Sequence, residues 1–153
     1  MHIVLVEPEI PQNTGNIART CVMTGSALHL VGKLGFSLED RYLRRAGLDY
    51  WSKLELHLHR DFEELFQLYR GNNFYFFTTS SKRLYTEVAY TGEDILVFGS
   101  ETCGLPVSIK HDWQEYLLRI PMSRQIPRSL NLSNSVAVVL YEALRQQGFP
   151  GMH

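Results

Sequence analysis

The chain has 153 residues, 44% of them hydrophobic, and a formal net charge of -1. Such a length suits one domain with a real core, which excludes wholesale disorder, and such a charge excludes a generally basic nucleic-acid coat. Its two cysteines, Cys21 and Cys103, form neither a disulfide framework nor a zinc pattern, and no apolar run approaches the roughly 20 residues of a membrane span.

The apolar run 2–6 (HIVLV) predicts a short buried strand, stopped by Pro8 and Pro11. It is too short for the apolar core of a signal peptide, so a cytoplasmic location is expected. Residues 14–25 predict a helix with Asn13 as N-cap, Ile17, Ala18, Cys21 and Val22 on one face, and Gly25 at its end. Strands follow at 27–31 and 54–58, then a helix over 61–70 whose first turn is acidic, as the helix dipole favours. Residues 74–79, 94–98 and 116–120 predict three more strands, and 132–147 an amphipathic helix with Leu132, Val136, Val139, Leu140, Ala143 and Leu144 on its apolar face. Strands alternating with helices imply a single α/β domain over 1–153, its sheet mainly parallel with helices on both faces.

Three polar segments follow apolar strands: Asn13–Arg19 (NTGNIAR), Gly99–Leu105 (GSETCGL) and Ser129–Ser135 (SLNLSNS). Ligands of parallel sheets sit outside the carboxyl ends of the strands, so all three could build one composite site. Gly99 and Gly104 have P-loop spacing, but Leu105-Pro106 stands where Lys-Ser/Thr is needed, so ATP or GTP is not expected. The glycines instead let backbone approach a flat ligand. Arg19 could hold a phosphate by a forked contact, with Glu101 as its partner. Arg41, Arg44 and Arg45 interleave with Tyr42, Tyr50 and Trp51, the pairing needed to hold phosphates and stack unpaired bases; Arg119, Arg124 and Arg128 form a further basic cluster. His57 and His59 share a strand face without a third metal ligand, and no metal site is expected.

Taken together, the three segments resemble the motifs of the SPOUT superfamily of RNA methyltransferases. NTGNIAR is similar to the first, LVFGSETCGL to the second, and IPM followed by SLNLSNSVAVVLYE to the third, in the right order along the chain. EPEIPQNTGNIART and RRAGLDYW are similar to the minimal tRNA (cytidine/uridine-34-2′-O)-methyltransferases, which consist of the catalytic domain alone. The chain departs from that pattern at Cys103, where an arginine is common, and in the loop SRQIPR.

The resemblance implies a C-terminal deep trefoil knot and S-adenosylmethionine as methyl donor, with S-adenosylhomocysteine as product and no metal. It implies cofactor contacts from Phe77, Gly99, Ile120, Ser129, Leu105 and Leu130, and a reaction centre of Arg19, Asn13, Glu101, Ser129 and Asn131. It further implies a homodimer acting on a tRNA anticodon loop, for which the basic clusters offer Arg41, Arg44, Arg45 and Arg128 as the grip. The same motifs would also serve a methyltransferase of rRNA ribose or a non-catalytic RNA-binding module.

Overall fold

The computed structural model describes residues 1–39, 50–123, 125 and 128–153. Arg41, Arg44 and Arg45 lie outside the described residues. The elements run β1 (His2–Val6), α1 (Pro11–Thr24), β2 (Ala27–Val31), a 3-10 turn (Trp51–Lys53), β3 (Leu56–His59), α2 (Phe62–Tyr69), β4 (Phe74–Phe77), β5 (Ile95–Phe98), α3 (Val107–Asp112), a second 3-10 turn (Gln114–Tyr116), β6 (Leu117–Leu118) and α4 (Leu132–Gln146).

The six strands form one sheet in the order β3-β2-β1-β5-β4-β6, and every pairing is parallel. A parallel sheet needs crossovers that cover both faces, so its strands are apolar on both sides. The pleat then sorts the side chains. Ile3, Leu5, Leu28, Leu30, Leu96 and Phe98 face one layer, where Ile17, Ala18 and Cys21 of α1 and Val136, Val139 and Leu140 of α4 close the core. Val4, Val6, Val31, Phe74, Phe76, Ile95 and Val97 face the other, closed by Leu65 of α2 and Ile109 of α3. Each fully buried side chain of this kind contributes roughly 1.5–3 kcal/mol.

Three elements differ from expectation. Helix α1 begins at Pro11, not after Asn13, because proline at the first helical position loses no bond and already has the right φ. Its N-cap is Ile10, which makes no side-chain cap, so Asn13 is freed for another task. Helix α3 is not visible in the sequence: it is six residues long with one buried side chain, Ile109, too short for a period to show. The strand expected at 116–120 shrinks to Leu117–Leu118, preceded by the 3-10 turn.

Chain order and sheet order diverge about β1. The chain steps outward from β1 through β2 to β3, then crosses over to β4, and returns to place β5 beside β1. Loops leaving β1, β4, β5 and β6 therefore open from neighbouring carboxyl ends, where such sheets bind ligands.

Candidate active site

A cavity of about 420 Å³ opens at those carboxyl ends. The end of β4 contributes Phe77 and the turn Thr78-Thr79-Ser80; the end of β5 contributes Phe98 and Gly99 to Leu105; the segment after β6 contributes Ile120 and Met122; the start of α4 contributes Ser129 to Leu132 and Ser135. Ile10 and Asn13 reach it from α1, and Lys110 from α3. Phe77, Gly99, Leu105, Ile120, Ser129 and Leu130, scattered over 54 positions of sequence, thus line one cavity.

The Gly99–Leu105 loop closes on itself. Ser100 N–H donates to the Gly104 carbonyl (3.2 Å), and Gly104 N–H donates back to Ser100 (2.9 Å). The chain is so tight that a Cβ on Gly99 would lie 2.0 Å from the Gly104 carbonyl carbon, and Gly104 has φ 67. Only glycine fits either place, for close approach at one and left-handed backbone at the other. Beneath the loop the Phe77 and Phe98 rings stack with centroids 4.6 Å apart.

A polar relay joins the three motifs. Both Glu101 carboxylate oxygens are engaged: one accepts from Glu9 N–H (2.8 Å), the other from Ile10 N–H (3.2 Å) and from Asn13 Nδ2 (3.0 Å). Glu9 answers by accepting from Thr102 N–H (2.8 Å). Asn13, only 6% exposed, accepts from Asn131 Nδ2 (2.9 Å). Asn131 in turn caps α4, its Oδ1 accepting from Ser133 N–H (2.9 Å) and Asn134 N–H (3.3 Å). One carboxylate thus sets the entry to α1, and through two amides the entry to α4. The negative charge also sits at the positive end of α1, the favoured placement.

Arg19 is not the partner of Glu101. It lies exposed on α1, where its Nη2 donates to Tyr50 Oη (3.4 Å) and its guanidinium carbon stands 5.0 Å from the Tyr50 ring centroid. The backbone N–H groups at the α1 entry take up the carboxylate instead. Arg19 does not line the cavity, and the whole Asn13–Arg19 segment, Asn13 included, lies inside α1. A second cavity of about 330 Å³ holds Arg128 with Arg119, Thr79, Ile120, Met122, Ser123 and Ser129.

Sequence reasoning missed Thr78-Thr79-Ser80 and Lys110. The first carries the same signal as the other three segments, small polar residues after an apolar strand, but running the strand to 79 hid it. Lys110 is half-buried and sits on the helix whose presence the sequence did not show. Cys21 is buried, which pushes its thiol up to about 12, so it is inert core, whereas Cys103 stands exposed on the cavity rim. Among the described residues no group of histidine, cysteine or acid side chains is arranged to hold a metal ion.

This architecture has close counterparts. A tRNA (cytidine(34)-2′-O)-methyltransferase of Methylovorus glucosotrophus is 48% identical over 150 residues, covering 97% of each chain. A Geobacillus stearothermophilus relative provisionally given the same name is 48% identical over 155 residues, covering 99% of this chain and 98% of its own. A solved structure described as giving insight into 2-OH methylation of C/U34 on tRNA superposes with a TM-score of 0.89 at 42% identity, covering 96% and 95%. The model of the SpoU rRNA methylase family matches residues 1–141, and the chain belongs to that family of methyltransferases.

Proposed function

We propose that the protein transfers a methyl group from S-adenosylmethionine to the ribose 2′-hydroxyl of the wobble nucleotide, position 34, of a tRNA. The observation that carries this is the cavity built from all three motifs, in a chain nearly half identical along its length to proteins named for that reaction. Residues 1–153 act as one catalytic unit in the cytoplasm, as a homodimer whose C-terminal segment forms the trefoil knot that the resemblance implied. No helix of the described residues is long and apolar enough to cross a membrane.

The cavity fits the donor. Phe77, Leu105, Ile120 and Leu130 offer an apolar slot for a flat purine, and the Gly99–Gly104 loop brings bare backbone to its edge. Lys110 lines the same cavity and suits the donor's carboxylate. When bound, the sulfonium supplies an electrophilic methyl that needs no metal.

The remaining work falls to positioning, which can supply several kcal/mol of a barrier when the attacking atom is held in line. Arg19 remains a cation throughout, so it holds the substrate phosphate and polarises the hydroxyl; it does not take the proton. Its place on α1 outside the cavity suits a grip on RNA laid across the cavity mouth. Glu101 has both oxygens occupied by donors, so it fixes Asn13, and Asn13 fixes Asn131, at the cavity edge where Ser129 also stands.

The test is methyl transfer from labelled S-adenosylmethionine to total tRNA, followed by nucleoside analysis. A labelled 2′-O-methylpyrimidine mapping to position 34 is expected; label in rRNA ribose, or none with donor binding intact, refutes the assignment. Arg19→Ala should bind the donor as before and lose turnover by about 100-fold or more, the usual cost of removing a positioned cationic or hydrogen-bonding group.

A further inference from the structure

We infer that the second cavity is an anion site, occupied in the working enzyme by a phosphodiester of the RNA next to the target ribose. The inference rests on the proposed reaction for the identity of the anion, and on the cavity for its existence. Two arginines, Arg119 and Arg128, line the cavity together with the hydroxyl side chains of Thr79, Ser123 and Ser129, and no carboxylate among the described residues lines it. Neither arginine is in an ion pair among the described residues. Arg119 is the anchor. Its backbone is clamped on both sides, N–H donating to the Arg83 carbonyl (2.9 Å) and carbonyl accepting from Tyr85 N–H (2.9 Å), in a parallel bridge with Leu84. Yet its side-chain Nε is buried and has no hydrogen-bond partner among the described residues. A buried guanidinium donor left without an acceptor is costly, and a turn of the side chain toward the cavity that it lines would let a bound oxyanion supply the missing acceptor.

The position favours RNA. Thr79, Ile120, Met122 and Ser129 line both cavities, so the anion site adjoins the donor cavity directly. A ribose at the mouth of the donor cavity carries a phosphate on either side, within reach of such a neighbour. The donor itself has one carboxylate, which suits Lys110, a residue that lines the donor cavity and not the anion site.

The experiment measures tRNA affinity against salt, and donor affinity by calorimetry, for the wild type, Arg119→Gln, Arg128→Gln and Arg119→Lys. Each glutamine variant should weaken tRNA binding about tenfold at 0.1 M salt, as loss of one charge-assisted contact does. It should also shallow the salt slope by about 0.7, one single-strand phosphate contact, while donor affinity stays put. Arg119→Lys should keep the slope and lose affinity, since an ammonium keeps the charge but not the fork. Inorganic phosphate alone should raise the melting temperature of the wild type and not that of Arg119→Gln. An unchanged salt slope in both glutamine variants, or a fall in donor affinity in its place, overturns the inference. A wild type that methylates no tRNA while phosphate still protects it sinks the proposed function and keeps the anion site. Should Arg119→Gln fail to fold, Arg128→Gln and Arg119→Lys decide the matter.

Discussion

Replacing Glu101 with glutamine separates an anchor from a chemical group. In the native structure its carboxylate takes three donors: Glu9 N–H at 2.8 Å, Ile10 N–H at 3.2 Å and Asn13 Nδ2 at 3.0 Å. The amide turns one oxygen into an NH2 group, so at least one of those donors meets another donor. Losing a hydrogen bond to a charged acceptor costs about 1.5–3 kcal/mol. Losing the negative charge at the entry of α1 adds about 0.3–1 kcal/mol. The sum is about 2–4 kcal/mol, which for a chain of this size lowers Tm by roughly 4–16 °C. Thermal and urea unfolding followed by circular dichroism measure it, with the exposed Glu115→Gln as a control expected within about 0.5 kcal/mol. Turnover should fall along with stability, because Asn13 and Asn131 lose their fixed positions. A variant with native Tm and no turnover refutes the reasoning, and would make Glu101 a participant in the chemistry itself.

Gly99→Ala places a methyl group 2.0 Å from the Gly104 carbonyl carbon, so the loop must open; donor binding should fall below detection, with a stability loss of about 1–3 kcal/mol, and calorimetry with S-adenosylhomocysteine checks it. His29 should make the protein acid-sensitive. It is fully buried, its nitrogens 3.0 Å from those of His2 and His59; burial, then repulsion from His2, His57 and His59, holds it down at about 3. The unfolded chain takes up this proton near pH 6.5 and the folded chain does not. Stability is therefore full above that pH and drains away between about 6.5 and 3, by about 2 kcal/mol at pH 5. The urea midpoint should drop from pH 7.5 to pH 5, less steeply in His29→Leu; an unchanged wild-type midpoint contradicts it. Arg44→Ala and Arg45→Ala should weaken tRNA binding and leave donor affinity alone, as filter binding and calorimetry would show; unchanged tRNA affinity in both removes these residues from the interface.

The strands and the long helices were legible in the sequence because each carries its own period. The runs 3–6 and 74–77 are unbroken apolar or aromatic stretches and 27–31 is broken only by His29, as strands covered on both faces should be, and 132–146 repeats its apolar residues at helical spacing. The segments Gly99–Leu105 and Ser129–Ser135 were legible too, since small polar residues and glycine after an apolar strand favour turns and caps, whereas Asn13–Arg19 lies inside α1. Helix α3 escaped because a single buried residue makes no period.

What the sequence by itself determined was the kind of chain: an α/β domain, three polar segments in order, and the family likeness they carry. Only the tertiary structure decided who meets whom. It sent Glu101 to the backbone at the entry of α1 and Asn13, and left Arg19 against Tyr50. It gathered Arg119 and Arg128 about one cavity. The physical reason is that local propensity acts over a few residues, whereas a hydrogen bond between positions 13 and 101, or 13 and 131, depends on strand order. Strand order follows from crossovers and the packing of both sheet faces, which no single segment encodes.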